Sequence, residues 1–349
     1  MRPAAEVTSR SGRAGRAIPD ERVDLRVRLG PLELRNPIVT ASGTFGSGAE
    51  VDRFFDVSRL GAVVVKSVTL EPREGLPTPR MAETASGMLN AIGLQNPGID
   101  RWLEKDLPWL NAHGVPTIVS IAGKTTAEYR LLAERLRGAP GVVGIEANIS
   151  CPNVEDRGVV FACREDATWE AIAGVTRVAG VPVFAKLTPD VTDIAGIAEA
   201  AARAGATGVS VINTLLGMAI DVETRRPQLA AVTGGLSGPA IKPVAVRAIH
   251  QIHQRLPALP IIGMGGVRTV EDVVELVLAG ASAVAVGTAT FANPLAALEV
   301  LEALPRWLGV RGIASVAELR GTAVARTEDA EEPARQAARS GRDARRGGP

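Results

Sequence analysis

The sequence predicts an α/β fold: a (β/α)8 barrel of the TIM type with an N-terminal β-hairpin capping its bottom. Three observations predict it. Eight short runs rich in β-branched residues recur along the chain, each followed by a polar turn and an Ala/Leu/Val-rich stretch with helical spacing. Those runs are almost continuously apolar, as parallel strands covered on both faces must be. Eight such units favour a closed barrel over an open doubly wound sheet. The 349 residues allow one large barrel or two ordinary domains, and an apolar fraction of 46% supplies a core for either.

In chain order, residues 23–35 (VDLRVRLGPLELR) alternate apolar and charged positions around Gly30-Pro31 and predict the hairpin. Strands are expected at 38–42, 62–68, 117–121, 144–150, 182–188, 208–214, 260–264 and 283–288. Two connections break the rhythm of short loops. One runs about 30 residues beyond Lys66 with Pro72, Pro77, Pro79 and Pro97; the other runs about two dozen beyond Asn213. Both leave the C-terminal ends of strands, the end where barrels carry their sites, so both are expected to build or cover a pocket. Residues 1–22 and 326–349 are charged and Gly-containing and read as solvated, disordered tails around a barrel domain over 23–325. The leading tail is Arg-rich but has no hydrophobic region, and Asp20 and Glu21 count against a transit peptide.

Composition excludes several functions. A formal charge of +1 and 3% aromatics provide neither the field nor the stacking surface for nucleic acid. No uncharged apolar run reaches the roughly 18 residues of a membrane span. Two cysteines, Cys151 and Cys163, are too few for an iron–sulfur cluster or a four-Cys zinc site, and they suit a reducing, cytoplasmic setting. The three histidines, His113, His250 and His253, fall away from strand ends, so a Cys/His dyad, a Ser/His/Asp triad and a His-rich metal site all lack parts. His250 and His253 are expected on one solvated helical face.

Closing the eight units brings Ser42, Lys66, Asn148, Lys186, Asn213, Gly265-Gly266 and Gly287-Thr288 to one mouth. Lys66 and Lys186 each sit in an apolar strand. Either alone fits a snorkelling lysine; two at equivalent positions point to an anionic or electron-rich partner. Gly265-Gly266 and Gly287-Thr288 end strands seven and eight, where barrels commonly bind phosphate through backbone N–H groups; a tight turn would explain one pair but less readily both. A phosphorylated cofactor is therefore expected.

The densest chemistry lies in G-I-E-A-N-I-S-C-P-N, 144–153. An apolar strand ends there in amides, a hydroxyl, a thiol and a strand-breaking proline. Cys151 can act as nucleophile or proton acceptor, and its neighbouring amides suit a planar ligand rich in carbonyl and N–H groups. Cys163 has no such neighbours and reads as a small buried or loop thiol. Gly158 and the charges of residues 155–157 suggest a lid over 154–164.

Eight segments together resemble dihydroorotate dehydrogenases, most closely the class 1, NAD-linked type B catalytic subunits. They are A-S-G-T-F-G (41–46), V-K-S-V-T-L-E-P-R (65–73), the run 78–98 ending L-N-A-I-G-L-Q-N-P-G, N-I-S-C-P-N (148–153), K-L-T-P (186–189), I-N-T (212–214), G-G-L-S-G-P-A (234–240) and I-I-G-M-G-G-V (261–267). The resemblance implies an FMN-dependent oxidation of dihydroorotate to orotate in pyrimidine synthesis, with Cys151 as the base on C5 and hydride leaving C6 for FMN. It further implies that Lys66, Asn90, Ala91, Ile92, Gly93, Leu94, Asn148, Asn153, Asn213 and Thr214 hold the substrate. FMN would meet Ser42, Lys66, Ser67, Asn148, Lys186, Ile212, Gly238, Gly265, Gly266, Gly287 and Thr288. A companion subunit with FAD and a 2Fe-2S cluster would pass electrons to NAD, two of each chain forming a heterotetramer around a homodimer of this one. The alternatives are a fumarate-reducing type A homodimer and a non-catalytic flavin-binding barrel. One position departs: Ser120 stands where relatives usually carry an asparagine that contacts flavin.

Overall fold

The computed structural model describes residues 17–150 and 161–323. Eight parallel strands, Ile38–Thr40, Val63–Val64, Thr117–Ile121, Val142–Ala147, Val183–Leu187, Gly208–Val211, Ile261–Met264 and Ala283–Val286, pair in chain order. The eighth also pairs with the first (Val284 opposite Ile38), and a Val39–Ala62 bridge joins the first to the second, so the ring closes. At that seam the Thr40 hydroxyl accepts from Val64 N at 2.9 Å and donates to Val64 O at 3.2 Å, standing in for ladder bonds. A Cβ at Gly61 would lie 2.2 Å from Asn36 O, so only glycine lets the two strands approach here.

The eight expected strands are all present, most of them shorter at their C-terminal ends. Regular strand stops where Lys66-Ser67 and Asn148-Ser150 turn inward, yet Val68 N still reaches Ser120 O and Asn148 N still reaches Ile121 O, both at 2.9 Å. Val27–Leu29 and Leu32–Leu34 form the expected hairpin. It lies at the floor: a Cβ at Gly30 would meet Thr207 Cγ2 at 2.5 Å, just before the sixth strand begins.

Six longer helices, Thr126–Leu136, Glu165–Thr176, Ile194–Arg203, Lys242–Arg255, Val270–Ala279 and Ala296–Gly309, wrap the ring. Their starts are legible: the side chains of Thr125 and Asp193 accept the N–H of Glu128 and Gly196. Ile194, Ile197, Ala198 and Ala201 show the buried spacing that docks a helix on strands. Among the described residues no helix is long and apolar enough to cross a membrane. Residues 17–22, expected within the leading tail, run beside the last helix, with Ile18 N bonded to Gly309 O at 2.9 Å. The rest of that tail, and 326–349, lie outside the described residues.

The two long connections pair with each other. Met81–Thr84 and Gly87–Asn90 from the first join Leu215–Gly217 and Gly234–Ser237 from the second in one antiparallel sheet. Because both leave C-terminal strand ends, this sheet stands on the mouth.

Helix Val270–Ala279 begins with a capping box, Thr269 and Asp272 exchanging side-chain and backbone bonds. Asp272 also takes Lys242 Nζ at 2.6 Å. Burial works to raise the Asp272 carboxyl, but Lys242 and the N–H groups of Arg268 and Thr269 outweigh it and hold it below its ordinary value. A carboxyl lowered on folding contributes stability that is complete above its unfolded value, near 3.9, and is lost as pH falls through the folded one. Asp272→Asn should therefore cost about 1–2 kcal/mol at neutral pH. Urea unfolding at pH 7 and pH 3 should show that deficit shrinking at the lower pH.

Candidate active site

The polar side chains of the mouth form one hydrogen-bonded circuit across five strands. Lys186, on the fifth strand and 3% exposed, points its ammonium at Ser42 Oγ, 2.9 Å away beyond the first strand, and at Glu146 Oε1, 3.4 Å away on the fourth. Ser120 of the third strand donates to the same Glu146 oxygen at 3.1 Å and contacts Ser67 Oγ at 2.9 Å. Asn148 Nδ2 donates to Ser67 Oγ at 3.0 Å, and Ser150 Oγ donates to Asn148 Oδ1 at 3.2 Å. Tyr129, from the helix after the third strand, fixes this turn by donating to Asn148 O at 2.7 Å. Most buried polar atoms are paired in this way.

Lys66 is half-buried at the end of the second strand, its backbone N–H bonded to Gly46 O at 2.9 Å. Its ammonium lies 3.3 Å from where a Cβ at Gly43 would sit, which places it beside Ser42. The two sequence-predicted lysines thus share a mouth.

The glycines make a separate cradle. Gly266 (φ 76°) would bring a Cβ to 2.7 Å from Lys242 Cβ and 3.0 Å from Gly238 O, so Gly238 and Gly266 face each other. A Cβ at Gly265 would stand 3.6 Å from Ile212 Cγ1, and one at Gly287 3.1 Å from Ala41 Cβ. These glycines let strands six, seven, eight and one pack closely, and Gly265, Gly266, Gly287 and Thr288 stay only half-buried there, with Thr288 opening the turn that follows. That arrangement suits a phosphate.

The substrate positions proposed from sequence also converge. Asn90 Nδ2 donates to Gly235 O at 3.1 Å, and a Cβ at Gly235 would collide with Thr214 Oγ1, so Asn90 and Thr214 both lie against Gly235 in the excursion sheet. Asn213 Nδ2 donates to Ser150 O at 3.3 Å, tying the second excursion to the turn that leads into Cys151. Ala91 and Leu94 are buried, Leu94 at φ 56°, and Ile92 O bonds Leu76 N within the first excursion. Cys151 and Asn153 lie outside the described residues, as do positions 154–160 of the expected lid. Its remaining residues include the short 3-10 turn Phe161–Cys163, where Phe161 packs edge-on to Tyr129.

Burial, then the charge of Asp190, push the Cys163 thiol up, consistent with an unreactive cysteine. His253 departs from the solvated face expected of it. It packs against Gly280 and Gly321, where burial and then Arg320 hold it below its ordinary value. No group of metal-ligating side chains occurs among the described residues. Sequence reasoning missed Glu146. The signal was there: a lone charge inside an apolar strand, the same feature that singled out the two lysines.

Fold and site together define a (β/α)8-barrel enzyme with an amide-and-lysine pocket beside a glycine cradle. The sequence profile of dihydroorotate dehydrogenase matches residues 24–308. Catalytic subunits of NAD(+) dihydroorotate dehydrogenase B are similar throughout: 53% identical over 297 residues in Geobacillus kaustophilus, covering 85% of this chain and 95% of the relative. Those of Alkaliphilus metalliredigens (51% over 301 residues, 86% and 99%) and Trichlorobacter lovleyi (50% over 297 residues, 85% and 97%) are comparable. The chain belongs to the dihydroorotate dehydrogenase family.

The cradle can be tested without ligand. Gly266→Ala should lower the unfolding midpoint, costing more than about 1 kcal/mol. Gly114 is the control, because it shares a left-handed φ (63°) but has nothing within 4 Å of an added Cβ. Equal losses in the two variants would show that the close packing at Gly266 is immaterial.

Proposed function

We propose that this chain is the catalytic subunit of an NAD-linked dihydroorotate dehydrogenase, oxidising dihydroorotate to orotate in pyrimidine synthesis. The observation that carries the proposal is the convergence of both lysines, the Asn148 amide and the glycine cradle on one mouth, in a chain of this family.

FMN fits the residues present. Gly265, Gly266, Gly287 and Thr288 are only half-buried at the ends of the seventh and eighth strands, and their backbone, with that of Gly238, would take the phosphate. Ser42, Lys66, Ser67, Asn148, Lys186 and Ile212 would meet the rest of the molecule. Once bound, the flavin supplies the acceptor for the hydride that leaves C6.

The chain's own residues do the remainder. Lys66, Asn148 and Asn213 would orient the pyrimidine from the barrel side, with Asn153 adding an amide. Asn90, Thr214 and the 91–94 turn would close over it from the excursions and exclude water. The Cys151 thiolate would take the C5 proton; with hydride lost from C6, the C5–C6 bond becomes double and orotate is released. FAD and a 2Fe-2S cluster belong on a companion subunit, which would return the electrons to NAD. Two of each chain would make a heterotetramer built on a homodimer of this one, working in the cytoplasm. The sequence supports this division of labour, since this chain has only two cysteines.

Anaerobic dihydroorotate should bleach the yellow protein; a chain that stays yellow would be a flavin-binding scaffold. NAD should be reduced only once the companion subunit is added, and fumarate reduction by this chain alone would make it type A instead. Cys151→Ala should keep its flavin and slow bleaching by about 10²–10⁴-fold, the usual scale for a lost general base. An ordinary thiol ionises near 8.5, so the bleaching rate should climb from pH 6 to pH 9. A flat profile in stopped-flow measurements would remove Cys151 from the role of base.

A further inference from the structure

Glu146 has no task in the function proposed above, yet it is wholly buried against Lys186, which has one. Its Oε1 holds Lys186 Nζ at 3.4 Å and the Ser120 hydroxyl at 3.1 Å. Its Oε2 is buried with no hydrogen-bond partner among the described residues. Withdrawing a carboxylate and an ammonium from water costs several kcal/mol per ion, and an apolar pair of equal volume often holds a core as well or better. An apolar side chain already stands opposite it, Phe184 of the fifth strand, which is 0% exposed. Stability does not account for the pair. Its clear effect is on Lys186, whose ammonium is held between Glu146 and Ser42.

We propose that Glu146 is a positioning residue: it fixes the Lys186 ammonium at the mouth and, by its own negative charge, lowers the reduction potential of the flavin bound there. The inference rests on the flavin reading above. Two-electron reduction leaves the flavin more negative than before, so an uncompensated ammonium nearby would stabilise the reduced form and hinder onward transfer. A carboxylate behind the lysine cancels part of that field in a medium where charges are weakly screened. It also keeps a long, flexible side chain in one rotamer. Ser120 contributes by holding the carboxylate from the third strand.

The test is the midpoint potential of the bound flavin, measured by dithionite titration against a reference dye. Glu146→Gln keeps the size of the side chain and an acceptor oxygen but removes the charge. At a fixed solution potential the ratio of reduced to oxidised flavin should rise about tenfold, ~30 mV for a two-electron couple, while flavin affinity changes only a few-fold. An unchanged or lower potential in a folded, yellow variant overturns the proposal. If the glutamine chain does not fold, Glu146→Asp decides. Its shorter carboxylate withdraws from Lys186, and the potential should rise by a smaller amount; no rise overturns the proposal. Failure of both variants to fold also overturns it, because the carboxylate is then a structural requirement. A wild-type chain that neither holds flavin nor is bleached by dihydroorotate defeats the underlying reading instead. Loss of the shift in a yellow, reactive protein defeats only the role of Glu146.

Discussion

The ion pair between Glu146 and Lys186 is the interaction on which the rest of the mouth depends. It joins the fourth and fifth strands directly, reaches the first through Ser42, and reaches the third and second through Ser120 and Ser67. Most other ion pairs of the described residues lie at the surface, as Arg255 does with Asp193 and Glu199, where water screens them and each contributes little. Inside the barrel screening is weak. Misplacing either charge would be expensive, so the backbone that bears them is confined to a narrow range of registers. Side chains carried by such strands inherit that precision.

Above this rigid base the chain adds adjustable parts. The two excursions contribute strands to one sheet, so the segment with Asn90 and the segment with Thr214 cannot shift independently. Asn213 then ties the second excursion to Ser150, the last described residue before Cys151. Backbone hydrogen bonds of the sheet fix the height of the amides over the mouth. Their side chains add to that tie, Asn90 donating to Gly235 O and Asn213 to Ser150 O.

Much of this was legible beforehand because the signals were local. Eight apolar runs produced eight strands, and a charge inside an apolar strand marked Lys66 and Lys186. Two features escaped for physical reasons. Glu146 was read as part of a strand ending in amides, since its meaning depends on Lys186, forty residues later and one strand over. His253 was placed on a solvated face by helical period alone. What buries it is the segment around Gly321, which arrives from the far end of the chain. Period describes a helix and its angular faces, but not which later segment will lie on them.

The serine at position 120 shows how one hydroxyl ties the circuit together from the third strand. Ser120 is 0% exposed, and its hydroxyl is already engaged with Glu146 and Ser67. A hydroxyl donates once, so a bond to the carboxylate leaves it only acceptor capacity toward Ser67. Ser67 is also the acceptor for Asn148, and Asn148 is held from behind by Tyr129. Ser120 and Ser67 are thereby a short, rigid link between the buried carboxylate and the amide at the mouth, so a displacement of Glu146 on the fourth strand is passed through two hydroxyls to Asn148 two residues further along the same segment.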